Sequence, residues 1–82
     1  MQLEILTPEK KLFEGEVVSV KVPGVSGEFE MLNNHAPIVS ALTNGVISIN
    51  HNNEITNISI EDGFIECLQN KVVILVGSGV KS

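Results

Sequence analysis

Val17-Val18-Ser19-Val20-Lys21-Val22-Pro23-Gly24, continued by Val25-Ser26-Gly27-Glu28-Phe29-Glu30-Met31-Leu32-Asn33-Asn34-His35-Ala36-Pro37, is the stretch from which the fold follows. Val18, Val20 and Val22 alternate with Val17, Ser19 and Lys21, the period of a strand with one face in a core and one in water. Pro23-Gly24 interrupts that run. Gly24 and Gly27 suit positive-φ positions, which residues with a Cβ adopt only at a steric cost. The ring of Pro37 crowds Ala36 toward an extended conformation. The segment from Pro23 to Pro37 therefore predicts a shaped loop with a short central strand, of the kind on which a small β domain carries a contact site.

The same alternation recurs outward in both directions. Leu3 and Ile5 oppose Gln2 and Glu4; Ile47 and Ile49 oppose Val46, Ser48 and Asn50; Ile58 and Ile60 oppose Asn57, Ser59 and Glu61. Turn signals punctuate the runs at Thr7-Pro8-Glu9-Lys10, Asn33-Asn34, Asn44-Gly45, His51-Asn52-Asn53, Asp62-Gly63 and Gln69-Asn70. Short strands with regular punctuation predict an all-β sandwich or barrel without a helix of useful length. Val72-Val73-Ile74-Leu75-Val76 is apolar throughout, so it should lie centrally or be covered on both faces. One domain over 1–76 is expected, with 77–82 as a flexible, frayed tail.

The 82 residues leave no room for a second core. A chain this short buries about 60–65% of its unfolded surface. Its 43% apolar content, mostly Val, Ile and Leu, still supports a core. Ten acidic residues against five Lys and no Arg give a net charge of −5. That balance opposes nucleic acid and anionic lipid surfaces and favours a neutral or basic protein partner. Cys67 stands alone in an alternating apolar run, so it can form no internal disulfide and reads as a small hydrophobe. Met1-Gln2-Leu3-Glu4-Ile5 has no signal-peptide pattern, and no apolar run is long enough to span a bilayer. A soluble, intracellular protein, monomeric in isolation, is the expectation.

Catalytic chemistry finds little support. His51 falls in an asparagine-rich turn, and His35 with Glu28 and Glu30 lacks a metal-ligand spacing. The serines, Ser40 among them, have no paired base, and no phosphate-binding loop is present. Glu28 and Glu30 lie two apart on a presumed strand and point the same way, which suits a solvated or contact face. No catalytic residue, cofactor or metal is expected.

The order and spacing of several motifs resemble those of the N-terminal β domain of the epsilon subunit of F-type ATP synthases. They are Leu3-Glu4-Ile5-Leu6-Thr7-Pro8-Glu9-Lys10, Phe13-Glu14-Gly15-Glu16-Val17, Pro23-Gly24, Gly27-Glu28-Phe29, Asn34-His35-Ala36-Pro37, Gly45-Val46-Ile47-Ser48-Ile49, Gly63-Phe64-Ile65-Glu66 and Asn70-Lys71-Val72-Val73-Ile74-Leu75. The resemblance implies a ten-stranded β-sandwich of two five-stranded antiparallel sheets. It implies a non-catalytic central-stalk subunit that binds gamma and the c ring and helps couple proton translocation to ATP synthesis. By that resemblance Glu28, Phe29 and Glu30 meet the c ring, while Thr7, His35 and Ser40 lie toward gamma. The place of action implied is the cytoplasmic face of an energy-transducing membrane, reached through the complex without lipid insertion.

The chain departs from the family pattern in places. Glu30 stands where Gly is frequent, Asn33 and Asn44 where Pro is usual, and Asp62 where Gly precedes Gly63. The expected fold carries no helical hairpin of the kind that follows the β domain in many relatives, the chain being either a naturally short epsilon or one cut before it. The alternative reading is a biotinyl- or lipoyl-type carrier domain with Lys71 as acceptor. Asn70 and Val72 flank that lysine in place of the acidic residues or methionines usual in such carriers.

Overall fold

A computed structural model of the protein describes residues 1–77 and 79–81, and no helix occurs among them. The strands are β1 (Gln2–Leu6), β2 (Lys11–Glu16), β3 (Ser19–Gly24), β4 (Gly27–Leu32), β5 (Ile38–Leu42), β6 (Gly45–His51), β7 (Glu54–Ile60), β8 (Gly63–Leu68), β9 (Lys71–Val76) and β10 (Gly79–Lys81). Alternation is the cause of the core. Leu3 and Ile5 of β1, Ile47 and Ile49 of β6, and Ile65 and Cys67 of β8 are buried while their sequence neighbours are not. Fully burying each such aliphatic side chain stabilises by about 1.5–3 kcal/mol.

The strands form one hydrogen-bonded, curled sheet in the order β10-β7-β6-β3-β5-β8-β9-β1-β2, with β4 on β3. Two groups of five, β4-β3-β6-β7-β10 and β5-β8-β9-β1-β2, meet through a single residue pair, Gly24 with Leu42. The implied pair of separate antiparallel sheets therefore needs two corrections. The ladder runs on through Gly24, and β1 pairs with β9 in parallel. Hairpins force their own strands antiparallel, but β1 and β9 are joined by most of the chain, so no turn dictates their sense.

Three local expectations also change. Of the two glycines in the opening stretch only Gly27 has positive φ, at 129°. Gly24 is required for close approach instead, since a Cβ there would lie 2.7 Å from the Gly27 carbonyl and from the Phe29 ring. Val18 is exposed whereas Val17 is buried. The chain bends before β3, and the Val18 amide turns to donate to the Asn50 carbonyl at 2.8 Å. Gly79–Lys81, expected within a frayed tail, pairs antiparallel with Ile58–Ile60 and satisfies the free edge of β7. Ser78 and Ser82 lie outside the described residues.

The turns follow their sequence signals. Asn52-Asn53 and Gln69-Asn70 have positive φ at both positions, the geometry that two-residue hairpins need to match strand twist. Thr7 organises the β1–β2 turn: its Oγ1 accepts from the amides of Glu9 and Lys10 and donates to the Lys10 carbonyl.

Candidate functional site

The two groups of strands present very different outward faces. On β4-β3-β6-β7 the outward rows read Glu30, Lys21, Ser48, Asn57 and then Leu32, Ser19, Asn50, Ile55. Ser48 donates to Asn57 across this face at 2.9 Å. Polar groups run through this face, with Leu32, Val46 and Ile55 as scattered exposed apolar residues and Ser19 buried by its neighbours.

On β5-β8-β9-β1 the outward rows are Ala41, Phe64, Leu75, Leu6 and then Val39, Glu66, Val73, Glu4. Val39 is 72% exposed, Phe64 59% and Leu75 52%. Here the continuous apolar run of β9 finds its explanation. The strand is central, between β8 and β1, and its Ile74 side is buried in the core. Its Leu75 side has no cover within the described chain.

Three depressions follow one another along this face. A cavity of ≈ 690 Å³ at one end is lined by Leu6, Thr7, Phe64, Asp62 and Leu75 among others. A second, of ≈ 220 Å³, lies between Val39, Phe64, Val73 and Leu75, and a third, of ≈ 250 Å³, between Pro37, Val39, Glu66 and Leu68. Adjacent depressions share residues, so the three form one run beside Phe64 and Glu66. No Lys lines any of them, while Asp62 and Glu66 do. Where β1 meets β2, Lys11 lies 3.3 Å from Glu4 and 2.8 Å from Glu14. These hydrogen bonds raise the Lys11 pKa and lower that of Glu14.

The residues singled out in the sequence are distributed around this geometry. Glu28 and Glu30 are both exposed on β4, as their spacing predicts. Phe29 points the other way and packs half-buried against the core, so it does not share their face. Thr7 lines the large cavity, although its hydroxyl is engaged in its own turn. His35 lies at the opposite end of the face, in the β4–β5 loop, with Nδ1 2.8 Å from the Ala36 carbonyl. Ser40 pairs with the buried Ile65 and lies on the other side of β5 from Val39 and Ala41, so it does not share the apolar face. Thr7 and His35 thus mark the two ends of one surface, and the acidic pair sits on another strand group.

The sequence reading did not anticipate that surface. Its one signal is the apolar side of β9, which alternation elsewhere would have made polar. No group of three or more His, Cys, Asp or Glu able to hold a metal occurs among the described residues. Lys71 is exposed but opens β9, paired with Gln2 and Leu68. The hairpin tip is Gln69-Asn70, so this lysine does not stand where a swinging acceptor arm needs it. Cys67 is buried, and burial pushes its thiol pKa up, which keeps it protonated and unreactive.

Comparison with known proteins gives a consistent result. The family model described as ATP synthase, delta/epsilon chain, beta-sandwich domain matches residues 1–82. The ATP synthase epsilon chain of Leptospira borgpetersenii is 46% identical over 79 residues, 96% of this chain and 62% of that one. The chain thus spans about three-fifths of that relative's length. The epsilon chain of Chlorobium limicola is 39% identical over 75 residues, 90% of this chain and 85% of that one. Among solved structures, a chain of the Euglena gracilis mitochondrial ATP synthase, in an assembly with its c ring, superposes with a TM-score of 0.90 at 20% identity, covering 96% of this chain and 51% of that one. A chain of the central stalk and c ring of the Tetrahymena thermophila enzyme gives 0.82 at 16%, covering 96% and 64%. At such identities the structural likeness speaks for the fold.

Proposed function

This chain belongs to the delta/epsilon-chain family of ATP synthases, as its β-sandwich domain, and we propose that it serves as a non-catalytic rotor element docked on gamma through its outward apolar face. The carrying observation is the asymmetry of the two outward faces. Exposed Leu32, Val46 and Ile55 stand apart among polar residues on one face, whereas Val39, Phe64, Val73 and Leu75 adjoin one another around a single depression on the other.

Thr7 and the His35 loop bracket the apolar face, in keeping with their assignment toward gamma. Ser40 contributes through the strand that presents Val39 and Ala41 rather than through its own hydroxyl. Asp62 and Glu66, which pair with no cation among the described residues, favour a partner surface that is apolar with basic residues beside it, which sets register more than affinity. The exposed β4 carboxylates are left for the c ring. Glu30 faces Lys21 across the ladder, whereas Glu28 faces Pro23 and has no basic cross-strand neighbour. Glu28 is therefore the better group to meet basic c-ring loops, with Glu30 beside it and Phe29 supporting the strand from the core. Acting this way, the chain helps couple proton translocation to ATP synthesis at the cytoplasmic face of the membrane, without entering the lipid.

The test is truncation of Phe64. Its ring is 59% exposed in the free domain. Covering that remainder is worth a little over half of a full Phe burial, about 1–2 kcal/mol, or roughly 5- to 30-fold in affinity. Phe64→Ala should weaken gamma binding by that factor in calorimetry. Ile55→Ala, on the polar face and 62% exposed, should leave it unchanged. Equal losses from the two variants would refute docking by the apolar face.

A further inference from the structure

The β4–β5 loop that carries His35 has local bonds of its own, but its tie to the rest of the sheet runs through one side chain from a distant hairpin. Asn70 Oδ1 accepts the Asn34 amide proton at 2.8 Å, and its Nδ2 donates to Asn33 Oδ1 at 2.9 Å. Both halves of one carboxamide are thus spent on adjacent residues of a loop 36 and 37 positions away. Asn70 is itself firmly placed. It occupies the second position of the β8–β9 turn at φ 63°, and its carbonyl accepts the Gln2 amide at 3.1 Å. Behind it stand the β8, β9 and β1 ladders.

On the loop side the restraints are weaker. The His35 amide closes a turn on the Leu32 carbonyl at 3.1 Å, and the His35 carbonyl receives only a long contact from the Cys67 thiol at 4.0 Å. Immediately beyond, Pro37 lines the last depression of the apolar face. A loop at this place, free of the carboxamide, keeps a local turn but loses its tie to the sheet that presents the face.

We infer that Asn70 is a positioning residue for partner docking: its carboxamide holds the Asn33–Pro37 loop, and with it His35, in place at the end of the apolar face. The inference rests on the reading that this face and His35 meet gamma. Asn70 acts before binding, by removing the entropy that the partner would otherwise have to overcome in ordering the loop. Its two bonds are solvent-exposed, so their worth to the folded chain is small compared with their effect on loop order.

The informative variant is Asn70→Gly, because glycine keeps the positive φ of the turn without strain and deletes only the carboxamide. In the free chain, Asn70→Gly should speed hydrogen exchange of the Asn34 amide while leaving strand amides of β8 and β9 protected. Affinity for gamma should fall about 3- to 10-fold, the scale of ordering one or two side chains and a short loop. Asn70→Asp, which retains the acceptor for the Asn34 amide, should recover part of the exchange protection.

His35→Ala and the double variant complete the cycle. If Asn70 works through His35, then Asn70→Gly on top of His35→Ala should cost almost nothing further. Additive losses, or an Asn70→Gly protein that binds like wild type while His35→Ala is weakened, would overturn the inference and leave the docking reading standing. Wild-type affinity in His35→Ala would remove His35 from the interface, and the inference would fall with it. A strand-wide loss of protection in Asn70→Gly would show a merely structural role, and would equally overturn the proposal.

Discussion

Gly27 holds φ at 129° as the first residue of β4, just past the Val25-Ser26 turn and immediately before Glu28. An ideal Cβ on this residue would meet nothing within 4 Å, so space is not the constraint. The constraint is the backbone, since a side chain in this region costs on the order of 1–3 kcal/mol. Replacing Gly also restricts the unfolded chain, which returns about 0.4–1 kcal/mol. The net loss for Gly27→Ala is therefore roughly 0–2.6 kcal/mol, about 1.3 at the midpoints, and Gly27→Val should lose at least as much. For a domain of this size the midpoint is a melting temperature roughly 5–10 °C lower. Gly15→Ala is the matched control, because its Cβ would rest 3.9 Å from the Phe13 ring in ordinary contact. Gly24→Ala tests the complementary case, in which the Cβ meets the Gly27 carbonyl and overpacking costs about 1–3 kcal/mol. Thermal unfolding followed by circular dichroism measures all three. If Gly27→Ala and Gly15→Ala melt together, the entry into β4 does not depend on that backbone geometry, and Gly27 does not set the presentation of Glu28.

Two further outcomes are expected. Glu28→Gln should weaken assembly on the c ring only slightly, since an exposed ion pair is worth about 0.2–1 kcal/mol, whereas Glu28→Lys should lower proton pumping per ATP hydrolysed in reconstituted enzyme at low salt and less so at high salt. Identical pumping by both variants and wild type at low salt would remove Glu28 from the contact. Cys67 should react with a disulfide reagent about a hundredfold or more slowly in the folded chain than in denaturant, because it is buried and its thiol stays protonated; comparable rates would contradict its place in the core.

Much of the architecture was readable from alternation and turns, and the failures are local and physical. Leu3, Ile5, Ile47 and Ile58 are buried as their period requires. Val18 is not, because a bend before β3 resets the phase of the alternation, and a pattern carries no information about where a chain bends. Gly24 was misassigned because close approach and positive φ both call for glycine. The parallel β1–β9 pair and the short β10 were invisible for a related reason: neither is joined to its neighbour by a turn. The apolar face was the largest omission. A sequence shows that Val73 and Leu75 are apolar, but it cannot show whether this chain or another one covers them. The tie from Asn70 to Asn33 and Asn34 joins residues far apart in sequence, each already explained by its own turn. Resemblance to a family supplied Thr7, His35 and Ser40; the geometry adds that the first two lie at opposite ends of one surface.

The most direct test of docking through that surface is methyl-resolved NMR of the labelled chain titrated with the gamma subunit of its own enzyme. Methyl groups of Leu6, Val39, Val73 and Leu75 should shift and lose access to a soluble paramagnetic probe, while those of Val46 and Ile55 on the polar face should keep their free positions and exposure. Protection of Val46 and Ile55 with Val39 and Leu75 still exposed would contradict the account.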